Sequence, residues 1–108
     1  MLRVILESPY GGEVERNVIY ARACLRDCLR RGEAPIASHL LYTQDGVLND
    51  NVPLERELGI RAGLAWGFAA DLFVFYVDRG WSMGMDSAFA FVTENKLPYE
   101  IRQLNGAA

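Results

Sequence analysis

Cysteine, histidine and long apolar runs are scarce in this chain, and each scarcity removes a class of function. The only cysteines among its 108 residues, Cys24 and Cys28, stand four apart inside a helical pattern. That spacing is not a C-x-x-C redox pair, and two thiols cannot fill a zinc site. They read as small apolar residues on one helix flank, both reduced. With His39 as the sole histidine, no second imidazole is placed to join it at a metal, so neither a metal nor a cofactor is expected. The longest uncharged apolar run, Leu72 to Val77, is far below the ~20 residues of a membrane span. The N-terminus lacks the charged head, apolar stretch and small-residue cleavage site of a signal peptide, so a soluble cytoplasmic protein without a membrane partner is expected. Basic charge is not in excess either, since 11 Lys and Arg face 14 Asp and Glu, a net charge of −3. A basic groove for a nucleic-acid backbone is excluded on that ground, and any phosphate must be held locally.

What the chain does have is 51% apolar residues, enough for a single domain over 1–108 with one core. Leu2 to Leu6 reads as a buried strand ending at Glu7 and feeding the turn-rich Ser8-Pro9-Tyr10-Gly11-Gly12. From Val14 the apolar residues Val18, Ala21, Leu25 and Cys28 recur at helical spacing, and Gly32 stops the helix. Ile36 to Leu41 reads as a second strand, followed by a polar loop from Thr43 to Val52 long enough to be suspected of covering a site. Pro53 opens a helix, with Asn51 as a nearby cap and Leu54, Leu58, Ala62, Ala65 and Ala69 as its inner stripe. Gly59, Gly63 and Gly67 form a flat face on it, suited to tight packing on the sheet or a partner, or to leaving room for a ligand. Leu72 to Val77 is the most apolar strand, Met83 to Asn95 the last helix and Tyr99 to Leu104 a closing strand. This βαβαβαβ order predicts a three-layer α/β fold with a mostly parallel four-stranded sheet, Rossmann or flavodoxin-like. Ligands bind such sheets beyond the carboxyl ends of the strands, where the segments 8–12, 39–50 and 78–85 meet.

The candidate ligand contacts lie in those three segments. Ser8, Pro9, Tyr10 and Gly11, with Gly12, are neither a Walker loop nor G-x-G-x-x-G, yet they offer a hydroxyl, an aromatic face and backbone N–H groups beside a helix N-terminus. Asp78 begins the corresponding turn after the third strand, with Ser82 as helix cap and Gly84 and Met85 in the first turn; a cap alone also accounts for Ser82. His39 is a candidate for ligand contact, proton transfer or a plain loop hydrogen bond. Asp45, Asp50, Glu55 and Arg56 read as solvated charges or as a clasp on the loop. Trp66, Phe68 and Trp81 are candidates for base stacking or for core volume.

The segments V-I-L-E-S-P-Y-G-G at Val4 to Gly12, R-G-E-A-P-I-A-S-H at Arg31 to His39, A-D-L-F-V-F at Ala70 to Phe75 and S-M-G-M at Ser82 to Met85 follow a recognisable order. Together they resemble the nucleoside 2-deoxyribosyltransferase-like family, and most closely a small phage and bacterial branch of it. The resemblance covers nearly the whole chain and implies a deoxyribosyltransferase-like fold in which the first loop and the Ser/Gly turn enclose a sugar and any 5′-phosphate. It further implies a nucleophilic Glu four residues after the turn glycine and a supporting Asp eight residues before the Asp of the A-D strand motif. Here those positions hold Ala88 and Gly63, which neither ionise nor attack. Asp86, two residues early, points about 160° away from the Glu position on a helix. The expectation is a binder of a nucleoside, nucleotide or nucleotide-derived small molecule that has lost turnover. The alternatives are an N-glycosidase or base-exchange enzyme using Asp86, Asp78 or Glu55 as relocated acid, and an interaction subunit whose glycine face builds a homo-oligomer.

Overall fold

The computed structural model describes residues 1–104, and in them the chain is a three-layer α/β domain. The four strands β1 (Arg3–Glu7), β2 (Ala34–Ile36), β3 (Leu72–Tyr76) and β4 (Tyr99–Arg102) lie in the order β2-β1-β3-β4, with every pairing parallel. Between them run α1 (Val14–Arg30), the single-turn α2 (Ser38–Leu41), α3 (Pro53–Ala65) and α4 (Met83–Glu94). Successive strand side chains point to opposite faces, so a strand covered on both sides must be apolar throughout. Val4, Leu6, Val74 and Tyr76 pack with Cys24 and Cys28 of α1. Ile5, Phe73 and Phe75 pack on the other side with Met85, Ala88 and Val92 of α4. The chain leaves β1 toward one edge and returns to place β3 on its other flank, which makes the tips of β1 and β3 the topological switch point of the sheet.

Two elements differ from the sequence expectation. Of the segment from Ile36 to Leu41 only Ile36 is strand. β2 is only three residues long and includes Pro35, which an edge strand tolerates because it is paired on one side alone. Beyond it the backbone turns helical, the N–H groups of Leu40 and Leu41 both donating to Ala37 O at 3.1 and 3.0 Å. A short apolar run does not by its periodicity distinguish strand from helix.

The inward face of α3 is also not the leucine and alanine stripe. Leu54 and Leu58 are 78% and 54% exposed, whereas Ile60 and Leu64 turn inward with the three glycines. Shape decides this choice. A Cβ at Gly63 would come within 2.8 Å of Ser38 Cβ, and one at Gly67, in the 3-10 turn (Trp66–Ala69) that ends the helix, within 2.7 Å of the Phe73 ring. Only the glycine side of this helix approaches α2 and the sheet closely enough to close the layer. The glycine face is therefore occupied within the chain itself, by Leu48, Ser38 and Phe73.

A buried ion pair fastens the edge strand β4 to the turn after α1. Arg102 donates to Glu33 Oε1 at 2.8 Å and Oε2 at 2.7 Å, both residues being nearly inaccessible. The Arg102 guanidinium also reaches Tyr76 Oη at 3.3 Å, and that phenol donates to Asp27 at 2.6 Å.

Candidate functional site

β1 ends with Glu7, and the strand alternation puts its side chain on the Ile5 face, toward α3 and α4. The next residues leave the sheet as a loop with one unusual fastener. Asn17, on the buried side of α1, donates through Nδ2 to Tyr10 O at 3.1 Å and Gly11 O at 3.0 Å. Its other amide end accepts from Arg79 Nε at 3.0 Å, and Arg79 also pairs with Glu13 at 2.9 Å. The loops after β1 and β3 are thus tied together through one amide.

These tips enclose a cavity of about 340 Å³. Glu7, Ser8, Tyr10 and Gly11 form one wall; Ser38, His39 and Tyr42 of α2 and its end form the next. Glu55, Arg56, Gly59 and Ile60 of α3 lie opposite, and Ser82, Met83, Gly84, Met85 and Ala88 close the site from α4. The volume falls in the range of small-molecule sites. The loop after α2 supplies Thr43, Leu48 and Asp50 as a further wall and is internally braced: the Leu48 N–H donates to Tyr42 O, and the Asn49 N–H to Glu55 Oε1, each at 3.0 Å. Beyond that loop the cavity adjoins a polar depression that shares Tyr10, Asp50 and Glu55 and adds Asp45, Asn49 and Asn51.

At the back, Ser8 Oγ and His39 Nε2 lie 2.7 Å apart, while His39 Nδ1 is buried without a partner. Burial holds the imidazole pKa down to about 4, so His39 stays neutral around pH 7. A serine nucleophile needs a base strong enough to take its proton and a third group that orients the base; here the imidazole within reach is weakened by burial and its other nitrogen has no orienting partner among the described residues. Ser8 and His39 are polar contacts rather than an attacking dyad. The thiols offer no alternative, because burial pushes Cys24 up to about 12 and raises Cys28 as well. At the mouth of α4 the Met85 N–H donates to Ser82 Oγ at 3.2 Å, which confirms Ser82 as the cap.

Of the residues singled out in the sequence, Ser8, Tyr10, Gly11, His39, Ser82, Gly84, Met85 and Glu55 line this one cavity, and Pro9, Asp78 and Asp86 do not. Asp78 is engaged elsewhere. Its carboxylate accepts from Tyr20 Oη at 2.5 Å and from the Leu104 N–H at 2.8 Å, locking α1 to the end of β4. Asp86 is exposed on the outer side of α4. Trp66 donates to Tyr42 Oη, Phe68 packs edge-on to Phe91, and Trp81 stacks on Phe75, so none of the three lines the cavity. Ala88 does line it, with a methyl group where the resemblance places a carboxylate, and Gly63 is covered by Ser38.

Glu7 is the residue that the sequence reading passed over. It looked like the polar end of an apolar strand, although its place two residues after Ile5 put it on a buried face. Desolvation raises its carboxyl pKa from 4.5 to about 8. No hydrogen bond or ion pair reaches that carboxyl among the described residues. Perturbed acids in clefts of this kind are functional candidates.

The match to known proteins extends over the same architecture, from before β1 to the end of β4. This chain belongs to the family described as Domain of unknown function (DUF7768), whose model matches residues 2–102. No curated protein matches it. The DUF7768 match takes in all of the cavity walls.

Proposed function

We propose that this DUF7768 protein binds a nucleoside, nucleotide or nucleotide-derived small molecule in the cavity at the β1/β3 switch point, and holds it without turnover. The observation that carries the reading is the convergence of Tyr10, His39 and Ser82, from three separate strand-to-helix connections, on one cavity of nucleoside size. An aromatic face, a neutral Ser8–His39 pair and the N-terminal turn of α4 suit a flat base, sugar hydroxyls and an anionic or hydroxyl substituent in turn. The likeness to the deoxyribosyltransferase-like family supports the same ligand class. Absence of turnover rests on Ala88 and Gly63, which occupy the two positions where that likeness calls for acids. Sequestering or sensing such a ligand in the cytoplasm is the role that follows.

A second reading, cleavage or exchange of an N-glycosidic bond, is favoured by Glu7 and Glu55, two carboxyls on the walls of one cavity. Thermal shift with nucleosides, nucleotides and cyclic dinucleotides tests binding under both readings, a hundredfold excess over Kd stabilising the fold by about 2.7 kcal/mol. Chromatography of the incubated ligand separates them. Intact ligand supports storage, and free base whose release is lost in Glu7→Gln or Glu55→Gln supports catalysis. Absence of any stabilisation across the panel, or unchanged affinity in both Tyr10→Ala and Ser82→Ala, refutes the site.

A further inference from the structure

Among the described residues the buried His39 Nδ1 lacks a partner, and the half-buried Glu7 carboxyl, lining the same cavity, receives no hydrogen bond or ion pair either. The second is the more consequential. Even partial withdrawal of a carboxyl from water without a hydrogen bond is costly, and native folds rarely carry that cost unless something answers it. Glu7 is held rigidly for an answer, since it terminates the central strand β1 in register with Phe75 of β3.

We propose that Glu7 reads the base of the ligand as a neutral carboxylic acid, donating its O–H to an acceptor atom of an uncharged heterocycle and accepting from the adjacent N–H, and that the ligand is a nucleoside rather than its polyphosphate. This rests on the nucleoside-class reading above and names the residue and chemical edge that would carry it. The raised pKa supports the protonated form at neutral pH. A neutral carboxyl matches one donor beside one acceptor, the pattern of the amide and amidine edges of nucleobases, whereas an ionised carboxylate would demand two donors or a cation.

The charges around Glu7 argue against a polyphosphate. From α2 it is faced by His39, which burial keeps neutral, and by Tyr42 at that helix's end. The long loop contributes Asp50, α3 contributes Glu55 and Arg56, the first loop contributes Tyr10, and α4 contributes only Ser82, Met83, Gly84, Met85 and Ala88. The adjoining depression adds Asp45 and no Lys or Arg. One exposed arginine against this many carboxylates is the reverse of a polyphosphate cradle.

The test is calorimetric titration of the full chain with the four common nucleosides and their 5′-triphosphates, for wild type, Glu7→Gln and Glu7→Ala, with thermal melts to show that each variant is folded. At least one nucleoside should bind more tightly than its triphosphate. Its Kd should weaken about 30-fold from pH 7 to pH 9.5 as Glu7 ionises. Glu7→Gln keeps a donor beside an acceptor, so it should hold affinity within about threefold and lose the pH dependence, while Glu7→Ala should weaken binding about 10- to 100-fold. Nucleoside binding that is indifferent to Glu7→Ala, that strengthens as pH rises, or that is exceeded by the triphosphate overturns the inference and leaves the nucleoside-class site standing. No binding by any member overturns both.

Discussion

Replacing Glu7 by glutamine should make the protein more stable, by an amount that grows with pH. The carboxyl binds its proton up to about pH 8 in the folded chain but only to its ordinary value of 4.5 when exposed. Between those values the folded state carries the extra proton, so unfolding free energy falls with rising pH at about 1.4 kcal/mol per unit. At pH 7 the accumulated cost is at most about 3 kcal/mol, less to the extent that water reaches the half-buried carboxyl, against the 5–15 kcal/mol that typically separates folded from unfolded domains. His39 acts with the opposite sign. Its folded pKa of about 4 lies below its ordinary 6.5, so stability falls as pH drops through that interval. Between about 4.5 and 6.5 the two slopes oppose each other, and wild-type stability should be nearly flat there.

From pH 6.5 to 8 Glu7 acts alone, and up to about 2 kcal/mol should be lost. Above that range the raised Cys24 thiol begins to add a slope of the same sign, which sets the upper limit of the useful scan. Urea denaturation followed by circular dichroism at pH 5, 6.5 and 8 measures the effect. The difference between Glu7→Gln and wild type should widen steadily with pH. Its absolute offset also contains the cost of burying the amide, so the slope is the decisive quantity. A difference that stays constant from pH 5 to 8, or that shrinks, refutes the buried-acid assignment.

Three further outcomes follow from the geometry. Glu33→Gln leaves the buried Arg102 guanidinium with the exposed Glu100, at 3.0 Å, as its remaining carboxylate partner and should cost about 2–3 kcal/mol by chemical denaturation, whereas replacing both Glu33 and Arg102 by apolar residues should cost much less. The Glu33 carboxyl is held below its ordinary range by Arg102, so its contribution is present at neutral pH and lost as pH falls through its folded pKa; wild type should show that acid loss and Glu33→Gln should not. Gly63→Ala drives a methyl into Ser38 and should lose about 1–3 kcal/mol despite the better helix propensity of alanine, with Ser38→Gly restoring most of it in the double variant; equal melting temperatures for Gly63→Ala and wild type would remove the close α2–α3 approach. Asn17→Ala frees the loop carbonyls of Tyr10 and Gly11 and leaves Arg79 without one acceptor, so amide exchange should accelerate in both the 8–12 and 78–82 segments at once, where a purely local role would affect only the first.

The parts of the fold visible in the sequence are those written in hydrophobic alternation. The helical recurrence from Val14 to Cys28 and the apolar runs of β1 and β3 locate α1 and the two central strands, because a strand buried on both faces has no polar positions to confuse it. Legibility ended where packing is decided by shape. On α3 the side that looks apolar, Leu54 and Leu58, faces outward, and the side that looks empty faces the core, since only glycine permits the approach to Ser38 and Phe73. Asp78 stands in a turn after a strand, the right place for a ligand contact, but its partner Tyr20 lies on α1, 58 residues earlier in the chain, and no local pattern announces that pairing.

The site shows the same division. Strand–loop–helix order was enough to bring the three tips together, because a parallel sheet with right-handed crossovers gathers them on one rim whatever their sequences. The acid within the rim was hidden by its position at the end of a run. A polar residue closing an apolar strand is ordinarily solvated, and what distinguishes Glu7 is the parity of one bond: shifted by one residue it would face α1, and in place it faces α3, α4 and the cavity. Keeping an ionisable group there at a cost of up to about 3 kcal/mol, where glutamine would fill the same space, is the kind of stability sacrifice proteins make at working sites rather than in cores. Parity and cost both point to the same atoms, which is the ground for testing the Glu7 carboxyl before the more conspicuous His39.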